Sequence, residues 1–95
     1  MNPAKVIREK VRHLTDLPNI GPAMEQDLVK LGITQPQQLA EQDPYAMYQQ
    51  LNNLTKTPHD PCVIDVFISI VRFIQGDEPR VWWHYSAERK AHLCG

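Results

Sequence analysis

The sequence predicts an all-α single domain of about five helices with a short C-terminal tail, and three observations carry that expectation. The stretch Leu17–Ile33 reads as a tight turn, Leu17-Pro18-Asn19-Ile20-Gly21, running into a short helix with Met24, Leu28 and Leu31 on one apolar face. A capping residue directly precedes proline at Asn2-Pro3, Asp43-Pro44 and Asp60-Pro61, the spelling of a helix opening. The apolar run after Pro61 carries Asp65, Ser69 and Arg72 spaced four and three. That is one stripe of a helix, and a strand would scatter it over both faces.

Taken in order, the chain first gives a two-sided helix from Pro3 to Leu14, capped by Asn2. Ile7, Val11 and Leu14 share one face, and Lys5, Arg8 and Arg12 lie nearly opposite. Thr15 and Asp16 break it. In the turn that follows, Ile20 plugs into the core and Asn19 takes a positive φ more readily than most residues. Pro22 suits the first helical position, Gly32 the left-handed residue after the last turn, and Ile33 packs back on that turn.

Thr34 reads as the next cap, with Gln37 three residues on, Pro36 early and Leu39 as the anchor of a short helix through Gln42. Asp43 caps a helix with Met47, Leu51 and Leu54 inward and Tyr45 and Tyr48 beside them. Two aromatics at this spacing form a core edge with hydroxyls in water more often than a base-stacking platform. A polar loop, Asn52–His59, leads to the core helix over 61–75, filled by Val63, Phe67, Ile70, Val71 and Ile74 and stopped at Gly76. Asp77-Glu78-Pro79 turns into a tail holding Trp82 and Trp83, of which one is expected to cover the core. Ser86 is read as the cap of a last helix through Leu93. The organisation is one domain over 1–95, divided as 1–33, 34–76 and 77–95.

The totals narrow the function. Of 95 residues, 42% are hydrophobic and 22% charged, ordinary globular values, and the net charge of −1 argues against a strongly basic nucleic-acid binder. The distribution says more. Lys5, Arg8, Lys10 and Arg12 stand against Glu9 alone, leaving +3 in the first fourteen residues and −4 in the remainder. Cys62 and Cys94 are far apart and read as reduced thiols. Charges recur from Lys5 to Arg12 without a signal peptide's apolar stretch, and Val63–Ile74 is too short to span a bilayer. A soluble cytoplasmic protein is expected.

No Gly-x-Ser-x-Gly elbow, Walker loop or divided carboxylate pair is present, so no enzyme is expected. Cys62 at a helix start would have its thiol pKa lowered by the dipole, but a small interior side chain is the commoner reading. His59 with Cys62, and His92 with Cys94, supply N and S ligands without the spacing of a zinc finger; no metal or cofactor is expected. The chemistry points instead to the hairpin. A turn entering a helix aims unpaired amides outward, and the dipole adds positive charge, which suits a phosphate. The candidate contacts are Asn19, Ile20, Gly21, Ala23 and Met24, with Lys5, Arg8 and Arg12 adding Coulomb attraction.

Pro18, Ile20, Gly21 and Pro22 resemble the helix-hairpin-helix family, whose usual hairpin spells Pro-Gly-Ile-Gly-Pro with an Ala following. Asn19 replaces the first glycine, and Ala23, Met24, Glu25 and Asp27 stand where a lysine is common. Over about Leu14 to Tyr85 the order Leu39, Asp43-Pro44, Tyr48, Leu51, Cys62-Val63, Val66-Phe67 and Trp82-Trp83 resembles the bacterial pathogenicity-locus helix-hairpin-helix family, some of whose members carry a mitomycin-resistance label. The front half is also similar to the C-terminal domain of TfoX-type competence regulators. The resemblance implies a fold like that of sterile-alpha-motif domains and weak, salt-dependent, sequence-independent binding of the DNA phosphate backbone. It implies no catalytic activity. The alternative is a protein–protein interaction module on the same scaffold, favoured by Glu25, Asp27 and the acidic remainder.

Overall fold

The computed structural model describes residues 5–94, and it bears out the all-α expectation. Its α-helices are α1 (Pro22–Lys30), α2 (Pro44–Thr55), α3 (Cys62–Ile74) and α4 (Ser86–Cys94). Short 3-10 helices cover Arg8–Lys10, Leu14–Asp16, Pro36–Glu41 and Trp82–Tyr85, and no strand occurs among the described residues.

The apolar run makes α3 the central element, about 20 Å long at the usual rise per residue. Eight of its residues are buried, Asp65 and Ser69 included. Phe67, Ile70 and Phe73 join Leu17, Ile20, Leu28, Leu39, Met47 and Leu51 in the main core, with Val63 and Ile74 partly buried against it. Ile64 and Ile68 point to a second, smaller cluster with Tyr85, flanked by Tyr45 and Tyr48. A helix buried nearly all round must dispose of its polar stripe, and here each member takes a partner from another segment. Ser69 accepts from Asn19, Asp65 holds Ser86 and Arg89, and Arg72 pairs with Glu88 at 2.6 Å.

The local signals at helix ends mostly hold. Asp43 Oδ1 accepts from the Tyr45 amide at 2.9 Å, and Asp60 Oδ1 from the Cys62 amide at 2.8 Å. The α1 stop is a Schellman motif: Gly32 has φ +82°, its amide donates to Val29 O, and the Ile33 amide reaches Leu28 O, both at 2.9 Å. The cap after it lies one residue later than Thr34 and Gln37. Gln35 precedes Pro36, and Gln38 Oε1 accepts from the amides of Thr34 (2.7 Å) and Gln35 (2.8 Å), closing a 3-10 rather than an α-helix. Leu54 is 54% exposed, so the apolar face of α2 ends one turn before the chain reverses at Lys56.

The largest departure is the N-terminal segment. Asn2 and Pro3 lie outside the described residues, and from Lys5 to Leu14 there is no α-helix. Val6, Ile7 and Val11 are β-branched and poor helix formers. Asp16 Oδ2 accepts from the amides of Arg12 (3.0 Å) and His13 (2.9 Å), a local bond that competes with a helical ladder. Val11 and Leu14 still reach the core, whereas Ile7 is half exposed. No helix among the described residues is long and apolar enough to cross a membrane.

Candidate hairpin site

The turn is built by Asn19, which adopts φ +67° as its side-chain type allows. Its amide also does something the sequence did not announce. Nδ2 donates to Ser69 Oγ (3.0 Å) and to the carbonyl of Arg80 (2.8 Å), binding the turn at once to α3 and to the tail. Ser69 in turn donates to Val66 O at 2.6 Å, so its hydroxyl is used in both directions. A lone serine in an apolar helix was the only trace of this in the sequence. Leu17, Pro18 and Ile20 are buried, and Ile20 fills the plug position expected of it.

Gly21 is the N-cap of α1 in an extended conformation (φ −102°, ψ −174°) that any residue adopts. A Cβ placed there would meet nothing within 4 Å, so a side chain fits at this position. Pro22 has no N–H. The first amide of this stretch with an intramolecular acceptor is that of Glu25, bonded to Gly21 O at 3.0 Å. Among the described residues, neither Ala23 N–H nor Met24 N–H has a protein partner, and no carboxylate faces them through a hydrogen bond. Met24 packs its side chain partly against the core while Ala23 is exposed. Asp27, one turn further along, leans toward Lys30 at 3.7 Å.

The basic residues do not form the expected array. Arg8 is spent on structure: its guanidinium donates to the carbonyls of Phe73 and Asp77 (2.6 Å for the latter) and lies 4.1 Å over the Phe73 ring. There it adds a second donor to the Phe73 carbonyl, which already accepts from the Gly76 amide, and places positive charge at the C-terminal end of α3, where it is favoured. Arg12 folds back on its own segment, Nη1 donating to Glu9 O at 2.8 Å and Val11 O at 3.1 Å. Lys5 and Lys10 are exposed and, with Val6, Ile7, Val11 and Asp16, line an open cavity of about 250 Å³. The Arg12 and His13 amides hold the Asp16 carboxyl below its ordinary pKa. Asn19, Ile20, Gly21, Ala23 and Met24 are therefore brought together, and Arg8 is withdrawn from them.

The other candidates resolve differently. The Cys62 thiol is raised, first by its hydrogen bond to Asp60 and then by burial, opposite to the lowering a helix dipole alone would give. His59 closes the α2–α3 loop, its amide and Nδ1 lying 3.0 and 2.7 Å from Asn52 Oδ1. His92 stacks on Tyr45 with centroids 3.7 Å apart. Among the described residues, no three His, Cys, Asp or Glu side chains are grouped to hold a metal. The core lid is Tyr85, 4% exposed, rather than a tryptophan; Trp82 is half-buried and Trp83 is 60% exposed.

Comparison with known proteins bears out the family likeness drawn over about Leu14 to Tyr85, though not the helix-hairpin-helix or TfoX likeness. The chain is similar to the mitomycin resistance protein McrB of Streptomyces lavendulae, 37% identical over 82 residues that span 86% of this chain and 78% of the relative. No solved structure matches it. Residues 7–91 match the family model described as "Pathogenicity locus", so the chain belongs to the pathogenicity-locus family.

Proposed function

We propose that the protein binds the DNA phosphate backbone through the hairpin, without reading sequence. One observation carries this: the amides of Ala23 and Met24 stand unpartnered at the positive end of α1, next to a Gly21 whose Cβ position is open. Oriented N–H groups with a helix dipole behind them favour an anion. The rigid seat supplied by Asn19 keeps them aimed. Electrostatic help is smaller than the basic N-terminal segment promised, since Arg8 is engaged elsewhere and Lys5, Lys10 and Arg12 remain. Few phosphate contacts give weak binding, in the ~10⁻⁴–10⁻⁶ M range of non-specific complexes, falling steeply with salt. The relative's name describes a resistance phenotype and assigns no chemistry to this chain.

The experiment is a titration of short duplex DNA into the labelled protein at low salt, followed by amide NMR shifts. Shifts centred on Gly21, Ala23 and Met24 support the reading, and their absence overturns it. Glu25 in the first turn of α1 and the engaged Arg8 favour the competing reading of a protein-interaction module. That reading gains if a partner is captured at high salt while DNA moves nothing.

A further inference from the structure

The last helix is fastened to the fold by polar groups rather than by an apolar face. None of the described side chains among its nine residues is buried, and Leu93 is 56% exposed. Three side-chain ties reach α2 and α3 among the described residues. Arg89 and Ser86 meet the carboxylate of Asp65, whose side chain is fully buried. Glu88 meets Arg72 at 2.6 Å, but both partners are well exposed, where an ion pair contributes little. His92 lies flat on Tyr45, with 16° between the rings. The segment just before α4 is built the opposite way. Tyr85 closes the cluster of Ile64 and Ile68, and the Arg80 carbonyl is bonded to Asn19. The boundary between Tyr85 and Ser86 thus separates a part anchored in the core from a part resting on it.

We propose that α4 is a releasable strap, hinged between Tyr85 and Ser86, which leaves as one unit and uncovers the Asp65 carboxylate while the core stays closed under Tyr85. The physical reason is an asymmetry in the buried pair. Removing one partner strands a charge, but release returns Asp65 and Arg89 to water together, and hydration of both offsets the lost attraction. Release gives up little apolar burial, since no described α4 side chain is buried. A nine-residue helix is marginal in isolation, so α4 melts as it leaves. Openings of this kind arise in weakly packed parts of a fold, below the free energy of global unfolding. The device is independent of what the hairpin binds.

The test is native-state hydrogen exchange of the full-length protein by NMR, over urea concentrations too low to unfold it. The amides of Lys90, Ala91 and His92 should share one opening, at least about tenfold more populated than the opening that exposes the α3 amides, and less dependent on urea. In Arg89→Ala the closed form strands Asp65, so α4 should stay released: its amides should lose their protection while those of Phe67 to Val71 remain protected. Arg89→Lys keeps the charge without the paired donors and should fall between. Opening of α4 with the population and urea dependence of α3 overturns the proposal, because the helix then leaves only with the whole fold. A gradient in which Lys90 is as protected as α3 and only later residues open also overturns it, being ordinary fraying. So do α4 amides with no protection in the native chain, since no closed form then exists. If Arg89→Ala does not fold, the native chain alone decides.

Discussion

Asp65 and Arg89, 24 residues apart in sequence, form the one fully desolvated carboxylate contact among the described residues: Nε to Oδ1 at 2.9 Å and Nη2 to Oδ2 at 3.3 Å, with the Ser86 hydroxyl at 2.5 Å from Oδ2. The guanidinium's pKa is raised, chiefly by its hydrogen bond to Asp65. None of the described α4 side chains is buried and Leu93 is mostly exposed, so polar bonds rather than an apolar face dock this helix. Removing one partner strands the other. Arg89→Ala should cost about 3 kcal/mol in urea unfolding, because the carboxylate is left buried and uncompensated. The double change Asp65→Leu with Arg89→Met should cost less than Arg89→Ala alone. Equal losses would mean that α4 is held by something other than this pair.

Asn19 combines two duties that substitution can separate. Asn19→Gly keeps the left-handed backbone and loses the bonds to Ser69 and Arg80; Asn19→Ala loses both. Each hydrogen bond contributes about 1 kcal/mol net, and a left-handed conformation costs an alanine another ~1 kcal/mol. The expected stability order, from melting temperatures, is native, then Gly, then Ala. Glycine matching the native protein would show that the tether to the tail contributes nothing.

The acid behaviour of the N-terminal segment follows from Asp16. Its folded pKa lies below 3.8 because the Arg12 and His13 amides bond the ionised form. A group with a depressed folded pKa contributes stability that is present above its unfolded value and lost as pH falls through the folded one. The Asp16 carboxyl resonance should therefore titrate with a midpoint under 3.8, and Asp16→Asn should lessen the protein's acid sensitivity below that pH. A midpoint at or above the ordinary value would show that the carboxylate does not hold the chain's turn.

These residues also show where the sequence was legible. Helix openings written as Asp-Pro, the glycine stop of α1 and the periodic core of α3 depend on neighbours a few positions away, and they came out as expected. The turn over Leu17–Gly21 did too, including the positive φ of Asn19. Apart from the N-terminal helix, lost to the local Asp16 bonds and β-branched residues, what failed depends on contacts between distant segments. Arg8 looked like a surface cation because its acceptors, the Phe73 and Asp77 carbonyls, lie 65 and 69 residues away. Asp65, Ser69 and Arg72 gave the phase of a helix correctly, yet periodicity cannot tell whether a polar stripe meets water or a docking tail. The same blindness made one of Trp82 and Trp83 an expected lid, whereas Tyr85 is the buried aromatic of this segment and closes the smaller cluster.

Arg8 gives a prediction that divides structure from binding. Arg8→Ala should lower stability by about 1 kcal/mol, through lost bonds to the end of α3. It should leave the slope of log affinity against log salt for duplex DNA unchanged, since a guanidinium spent on carbonyls releases no counterion. Lys5→Gln should do the reverse, sparing stability and lowering that slope by up to about one. A reduced slope in Arg8→Ala would put Arg8 back on the binding surface.

The sharpest test of the hairpin uses a change that strengthens the fold while closing the site. Gly21 is the N-cap of α1, has an extended backbone and faces open space, so an aspartate fits there without strain. Its carboxylate would accept from the Ala23 or Met24 amide and complement the dipole, raising stability by a few tenths of a kcal/mol or more. The same carboxylate would occupy the place of the phosphate and repel it. Gly21→Asp should thus melt at a higher temperature and lose DNA binding, whereas Gly21→Ala should keep the binding. Destabilising mutations abolish binding for many reasons, but loss of binding in a more stable protein has few. If Gly21→Asp binds duplex DNA as the native chain does, the amides at the start of α1 are not where the phosphate sits.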